Sequence, residues 1–365
     1  MKILLVGEFS GLHAILAEGL RQEGHQVTVI SEGCGWKNYP RDIDLNFGRF
    51  RLLKSVLKIA FNIHRLIGFD VVQLINPCAL HALPKKNMLF YKFIKRFNKS
   101  VFLGANGDDY FIVSYGLTGK YSKSIFSHKD LLADDFITEF TLRCLDDDFK
   151  QLNLKIANEC DGITACCAEY EIAYKEKYSD KLTFIPLPID TSEFNFCNSI
   201  SEETEKIIFF LGHYKYRRVL KGTDIIEKVL LRLKDSYPDE VELRIVDSIP
   251  FDEYKNLMDS SHVLVDQLYS YGCGINGVLG MSKGLIVAGG ADSYMYQLIG
   301  EEDNQPLVNL PVDEEEMFIV LEELIKNKRD LFTLAKETRE FSIKHHNYIK
   351  VAKQYVDFWE SKISQ

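Results

Sequence analysis

Two stretches in the second half of the chain put positive charge and bare backbone where a phosphate could be held. Gly212-His213-Tyr214-Lys215-Tyr216-Arg217-Arg218-Val219-Leu220-Lys221-Gly222-Thr223-Asp224 gathers four cations between two glycines. Arginine presents a bidentate fork and lysine a point charge, and both suit a diphosphate. Further on comes Tyr271-Gly272-Cys273-Gly274-Ile275-Asn276. Its glycines let backbone amides approach an anion, and a helix starting there adds its positive dipole end, worth about 0.3–1 kcal/mol when exposed. Alone, the first stretch also reads as a surface Lys/Arg loop and the second as an ordinary glycine cap. At consecutive sheet edges they read as one anion site built from Arg217, Arg218, Lys221, Gly222, Gly272, Cys273, Gly274 and Ile275.

The first half offers two loops. Gly7-Glu8-Phe9-Ser10-Gly11 follows an apolar run and opens a helix, so Gly7 and Gly11 are candidates to cradle the same anion. Val101-Phe102-Leu103-Gly104-Ala105-Asn106-Gly107-Asp108-Asp109-Tyr110 carries Asn106 and the paired carboxylates Asp108 and Asp109 just after a strand. These acids could bind hydroxyl groups or steady the loop as an Asx-type turn. His13, one turn into the first helix, reads as a helix-surface residue. Trp36 sits on a loop where it could stack on a ligand or pack locally.

Several chemistries lack their signatures. Gly-x-Gly-x-x-Gly is missing, and Glu32 only approaches the acidic position of a nicotinamide site; Gly-x-x-x-x-Gly-Lys-Ser/Thr is missing too. None of the eight cysteines forms a Cys-x-x-Cys pair or has a histidine at zinc spacing, so reduced thiols and no metal are expected.

The elements that must position these loops alternate in type. Lys2–Val6 and Gln26–Ile30 read as strands flanking a helix, and Val71–Ile75, Val101–Gly104, Ile163–Cys166 and Leu182–Ile185 continue the pattern. Ile185-Pro186-Leu187-Pro188-Ile189-Asp190 breaks it. The rhythm then restarts: strands at Lys206–Leu211, Val241–Val246, His262–Val265 and Leu285–Ala288, with helices at Thr223–Lys234, Phe251–Asp259, Ile275–Lys283 and Glu314–Lys326. The spacing of Val351, Tyr355, Phe358 and Trp359 predicts a closing helix. The expected fold is α/β, with two doubly wound Rossmann-like domains facing a cleft: residues 1–189, residues 190–345, and a C-terminal helix over 346–365 that could pack back on the first domain. In such sheets ligands bind outside the carboxyl ends of the strands.

Length and composition agree. With 365 residues, 46% hydrophobic and 27% charged, the chain suits about two globular domains. A formal charge of −9 disfavours general nucleic-acid binding. The opening Ile3–Val6 run is too short for a secretory core, and no apolar run spans a bilayer, which points to a cytoplasmic protein.

On these residues the chain resembles the GT-B glycosyltransferases, specifically the retaining, family 4-like group. Gly212…Arg217-Arg218…Lys221-Gly222 resembles that family's diphosphate clamp. Tyr271-Gly272-Cys273-Gly274…Met281-Ser282-Lys283-Gly284-Leu285-Ile286-Val287 resembles its Glu-Gly-Phe-Gly…Glu-Ala-Met-Ala-x-Gly-x-Pro-Val block. Ile185–Asp190 is similar to its interdomain segment, and Asn106 stands at the His of its His-Gly-Ser-Asp loop. The resemblance implies metal-independent, retaining transfer of a sugar from a nucleotide-diphosphate donor to a glycan or lipid-linked acceptor, in bacterial surface polysaccharide synthesis, with no cofactor. The chain departs from the family at Tyr271 and Leu279, where two glutamates would contact donor sugar and ribose; Asp266, Gln267 or Tyr269 could substitute. Two further readings stay open: a nucleotide-sugar epimerase using Asp108, Asp109 and Asp266, and a nucleotide-binding member without turnover.

Charge is also unevenly spread. Residues 49–102 hold eleven Lys or Arg and one acid, Asp70, giving +10 within a chain of −9. The cations interleave with Leu52, Leu53, Val56, Leu57 and Phe61, and later with Leu89, Phe90, Phe93, Ile94 and Phe97. Amphipathic helices here would either pack into the core with a solvated charged face or dock on an anionic membrane, placing the protein at the inner face.

Overall fold

The structure, a computed structural model, describes residues 1–34, 38–45, 62–80, 83–127, 141–213 and 217–364. Trp36, the basic residues from Arg49 to Lys58, and Tyr214, Lys215 and Tyr216 lie outside them. The chain divides into two compact units, each built on one parallel sheet. The first takes the chain up to Lys120, then on to Pro188, then from Tyr348 to the C-terminus; the second takes the segment beginning at Tyr121 and Ile189–Asn347.

The first unit contains β1 (Lys2–Val6), α1 (Leu12–Gln22), β2 (Gln26–Ser31), β3 (Ile43–Asp44), β4 (Val71–Leu74), α2 (Pro84–Phe97) and β5 (Ser100–Gly104). It continues with α3 (Tyr110–Gly116), α4 (Asp147–Glu159), β6 (Gly162–Ala165), α5 (Ala168–Tyr178) and β7 (Leu182–Phe184). Its strand order is β3-β2-β1-β4-β5-β6-β7, with every pair parallel. Ile3, Leu4, Leu5 and Val6 are all 0% exposed, as a central strand covered on both faces requires. The order reverses between β1 and β4, so the loops after β1, β4 and β5 meet at the switch point. One face is covered by α1 and the C-terminal helix Tyr348–Ile363. That helix buries Val351, Ala352, Tyr355, Phe358 and Trp359 along one stripe, and Trp359 Nε1 donates to Gln73 Oε1 at 3.1 Å. The two helices approach so closely that a Cβ at Gly19 would stand 2.5 Å from the Tyr348 carbonyl oxygen.

The second unit contains β8 (Ile207–His213), α6 (Arg218–Lys221), α7 (Thr223–Ser236), β9 (Val241–Asp247), α8 (Phe251–Asp259), β10 (Val263–Val265) and α9 (Ile275–Ser282). After these come β11 (Ile286–Gly289), α10 (Ser293–Ile299), β12 (Val308–Asn309), α11 (Glu314–Lys326) and α12 (Leu331–His345). The order is β12-β11-β10-β8-β9, again parallel throughout. Ile226, Val229, Leu230 and Leu233 of α7 recur at helical spacing and pack on β8 residues such as Phe209 and Leu211. The sequence reading overlooked β3 and β12, because two residues are too few to show an alternation. His13 is a correction: it is 1% exposed, since α1 presents this face to the core at the β1 loop. Among the described residues, no helix is long and apolar enough to cross a membrane.

Candidate functional site

In the second unit, β8 leads toward α6, a single turn that Gly222 closes with φ 68 before α7 begins. A Cβ there would lie 2.9 Å from Leu268 Cδ1, so the tight junction excludes larger residues. The turn is fixed to the loop after β10 by Leu268 N–H donating to the Lys221 carbonyl at 2.9 Å. Lys221 Nζ stands 4.0 Å from Asp266 Oδ1. The same carboxylate accepts from Gly274 N–H at Oδ2, 3.1 Å, and from Asn276 Nδ2 at Oδ1, 3.2 Å. One buried carboxylate thus joins the cation before α7 to the N-terminus of α9. Gly274 caps α9, and the following first-turn amides of Ile275 and Asn276 have no intrahelical acceptor to use. Asn276 Oδ1 in turn accepts from the Tyr254 hydroxyl at 2.9 Å, and the Tyr254 ring fills the space beside Gly212.

The three cations before α7 differ in environment. Arg217 is exposed. Arg218 is ion-paired with Glu227 of α7, whose Oε2 also lies 3.3 Å from His213 Nε2. His213 Nδ1 lies 3.0 Å from Thr223 Oγ1, and burial, then the neighbouring Arg218, push its pKa down. Cys273 packs against Gly277, and burial with Asp266 nearby holds its thiol well above the usual range. Tyr271 is buried; its hydroxyl oxygen accepts from Ser122 N–H at 2.9 Å and its ring meets Tyr121 edge-on. Leu279 is buried as well. Neither position therefore supplies a carboxylate to a ligand, and Asp266 is the buried acid that accepts from the α9 N-terminus.

In the first unit, the backbone at Gly7 (φ 87) and Gly11 (φ 92) is left-handed. A Cβ at Gly7 would stand 2.3 Å from Ile75 Cγ2 and 2.6 Å from the Ala79 carbonyl, which packs the β1 loop against the β4 loop. The amides at the start of α1 are already engaged: Glu8 Oε1 accepts from Gly11 N–H and Oε2 from Ala14 N–H, each at 2.8 Å. Burial pushes the Glu8 carboxyl up to about 7. His13 Nδ1 donates to the Gly7 carbonyl at 2.8 Å, and burial pushes its imidazole down to about 4.

The β5 loop separates the residues that the sequence pairs. Asp108 is exposed, whereas Asp109 is buried and caps α3. Asp109 Oδ1 accepts from Ile112 N–H at 3.0 Å and Oδ2 from the Tyr174 hydroxyl; burial pushes the carboxyl up to about 7. Asn153 completes this network, donating to the Tyr174 oxygen at 2.9 Å and accepting from Tyr110 N–H at 3.0 Å. Asn106 donates through Nδ2 to the Ile75 carbonyl at 3.1 Å, and its buried Oδ1 has no hydrogen-bond partner among the described residues. Asn76, which the sequence reading passed over, donates to the Asn106 carbonyl at 2.8 Å and so ties the β4 loop to the β5 loop. Its signal was its place directly after β4, beside the switch point. Asn76, Cys78, Asp108, Asp109 and Asn153 line a cavity of ≈ 30 Å³, room for a water molecule. No cluster of three or more metal-ligating side chains occurs among the described residues.

Two parallel α/β sheets with loops of this kind at their carboxyl ends constitute the GT-B glycosyltransferase fold. The chain is similar over its whole length to sucrose-phosphate synthase from Thermosynechococcus elongatus, with a TM-score of 0.65, 14% identity, and 100% of this chain and 99% of that one covered. It is similar to WaaG, a glycosyltransferase involved in lipopolysaccharide biosynthesis (TM-score 0.59, 13% identity, 98% and 99% covered). It is also similar to HepE of Anabaena, solved with UDP and glucose (TM-score 0.58, 11% identity, 99% and 99% covered). At these identities the likeness is one of fold. No protein-family model matches the chain, and no curated protein matches its sequence.

Proposed function

We propose that the protein is a glycosyltransferase that takes a sugar from a nucleotide-diphosphate donor and passes it to a glycan or lipid-linked acceptor, with retention and without a metal. Surface polysaccharide synthesis in a bacterium is the setting this reading favours; HepE and WaaG lend it fold-level support. The observation that carries the proposal is the meeting of Lys221 with the α9 N-terminus on one buried carboxylate, Asp266. A diphosphate beside Lys221 would find that ammonium, the Ile275 and Asn276 amides and the exposed Arg217 together. Stabilising the leaving diphosphate in this way is electrostatic catalysis, usually the largest single contribution to rate. Arg218 would join after leaving Glu227. Asn106, through an Oδ1 without a partner among the described residues, is the first-unit group placed to accept a hydroxyl hydrogen bond, and the exposed Asp108 lies on the same loop. Asp109, with both oxygens engaged inside the fold, holds their loop in place.

One observation favours a second reading, nucleotide binding without turnover. Tyr271 and Leu279 are both packed away, so the stretch they bracket offers a donor sugar no carboxylate. Isomerisation finds less support, because Asp109 and Asp266 both spend their oxygens on hydrogen bonds within the fold. The test is nucleotide release from a panel of UDP-, GDP- and ADP-sugars with and without membrane lipid extract as acceptor. Acceptor-dependent release supports transfer. Binding without release supports the second reading, and no binding by any nucleotide rejects both.

A further inference from the structure

The outward face of α2 has no role in the transfer reading, and what it could do is independent of that reading. Pro84, Asn87, Tyr91 and Ile94 point inward, which fixes the rest of the helix outward. Lys85, Leu89, Lys92 and Arg96 then form one outer stripe at spacings of four, three and four residues. Beside it the Phe93 and Phe97 rings pack at a tilt with centroids 5.0 Å apart. Leu89 is 67% exposed, Leu83 57% and Phe97 51%. Of the twelve large apolar side chains exposed among the described residues, five (Ile63, Ile67, Leu83, Leu89 and Phe97) fall between residues 62 and 99. The segment that carries Ile67 lies against the end of α2: Gly68 N–H donates to the Phe97 carbonyl at 3.0 Å, and Asn98 Nδ2 to the Leu66 carbonyl at 3.1 Å.

The charge on this face is not balanced. Lys85 pairs with Asp148, Lys95 with Asp161 and Lys99 with Asp70. Lys86, Lys92 and Arg96 meet no acid among the described residues. Apolar side chains left in water between unpaired cations match one environment: acyl chains beneath anionic headgroups. We propose that this face of α2 docks the protein on an anionic lipid bilayer, with Leu89 and Phe97 entering the headgroup boundary and Lys86, Lys92 and Arg96 meeting lipid phosphates.

Sedimentation of the full chain with phosphatidylcholine vesicles, with and without phosphatidylglycerol, tests this. Binding should need the anionic lipid and weaken with salt. Each surface cation contributes roughly fivefold, so Lys92→Gln with Arg96→Gln should lower partitioning roughly 30-fold. Leu89→Ser should lower it separately while circular dichroism stays unchanged, because the side chain stands mostly in water. Absence of binding to anionic vesicles at low salt overturns the proposal. So does a double variant that binds as the wild type does, which would move the contact off α2. Self-association that Leu89→Ser abolishes, without vesicle binding, also overturns it in favour of a second copy as the occupant.

Discussion

Replacing Lys221 with alanine separates the anion site from the scaffold around it. The ammonium stands 4.0 Å from Asp266 and its side chain is 33% exposed, so the pair is screened by solvent. Such a pair is worth about 0–1 kcal/mol to folding. A 1 kcal/mol loss would shift the Tm of a domain this size by roughly 2–4 °C. A charge-assisted bond to a bound diphosphate is worth more, about 1.5–3 kcal/mol. The Kd for the preferred nucleoside diphosphate should therefore rise roughly 10- to 150-fold while the protein stays folded. Calorimetric titration of UDP, GDP and ADP into wild type and Lys221→Ala measures the first quantity, and a thermal scan the second. Lys228→Ala removes an exposed cation of α7 outside the site and serves as the control for net charge. An unchanged Kd in Lys221→Ala, or an equal loss in Lys228→Ala, would refute the assignment.

Asp109 carries a pH signature. Its folded pKa is raised from 3.8 to about 7, so the native state holds a proton that the unfolded chain gives up at lower pH. Its contribution is complete below about pH 4 and is lost as pH rises toward 7. The stability gap between wild type and Asp109→Asn in urea titrations should shrink across that window; parallel curves would contradict the buried, protonated carboxyl. Gly19→Ala sets helix propensity against space. Alanine favours the helix by about 1 kcal/mol, but its Cβ would meet the Tyr348 carbonyl at 2.5 Å, and overpacking costs about 1–3 kcal/mol. Net destabilisation by denaturant melts is expected, and a stabilised variant would mean that the C-terminal helix yields freely. Finally, with no carboxylate offered from 271 or 279, the sugar should add little to donor affinity. A nucleoside diphosphate and its sugar conjugate should bind within about tenfold of each other in competition titrations, and a conjugate a hundredfold tighter would refute this by showing that another residue contacts the sugar.

The parallel sheets were legible because buried strands announce themselves: Ile3–Val6 and the apolar run of β8 can hardly be anything else. Helices with one apolar stripe were legible for the same reason, α7 and the C-terminal helix among them. The sequence reading named no helix at α5, because Ala168-Glu169-Tyr170-Glu171-Ile172-Ala173-Tyr174 spreads its apolar residues around the axis. What sequence could not separate is Asp108 from Asp109. Adjacent in the chain, they diverge because Asp109 caps α3 and Tyr174, far away in sequence, reaches its other oxygen. Glu8 is similar: nothing in Gly7-Glu8-Phe9-Ser10-Gly11 says that its carboxylate turns back onto the α1 amides, which leaves that glycine loop with two fewer donors for a ligand. His13 was misplaced for a related reason, since its only visible partner is a backbone carbonyl.

Both units thus meet the same electrostatic problem with an internal acid, and the outcomes differ. At α1, Glu8 occupies two amides, lies 3% exposed with a pKa raised to about 7, and pairs with no cation among the described residues, so that helix start is largely spent on the fold. At α9, Asp266 takes one amide and one side-chain amide, but a lysine stands beside it and the exposed Arg217 lies one turn before that lysine, at the start of α6. A carboxylate that shares its field with Lys221 leaves that cation able to meet a second anion, provided the anion carries enough charge to compete. A diphosphate does; a lone carboxylate or neutral ligand does not. On the proposed reading the arrangement would favour highly charged ligands at α9, and this asymmetry is the physical reason to seek a nucleotide in the second unit.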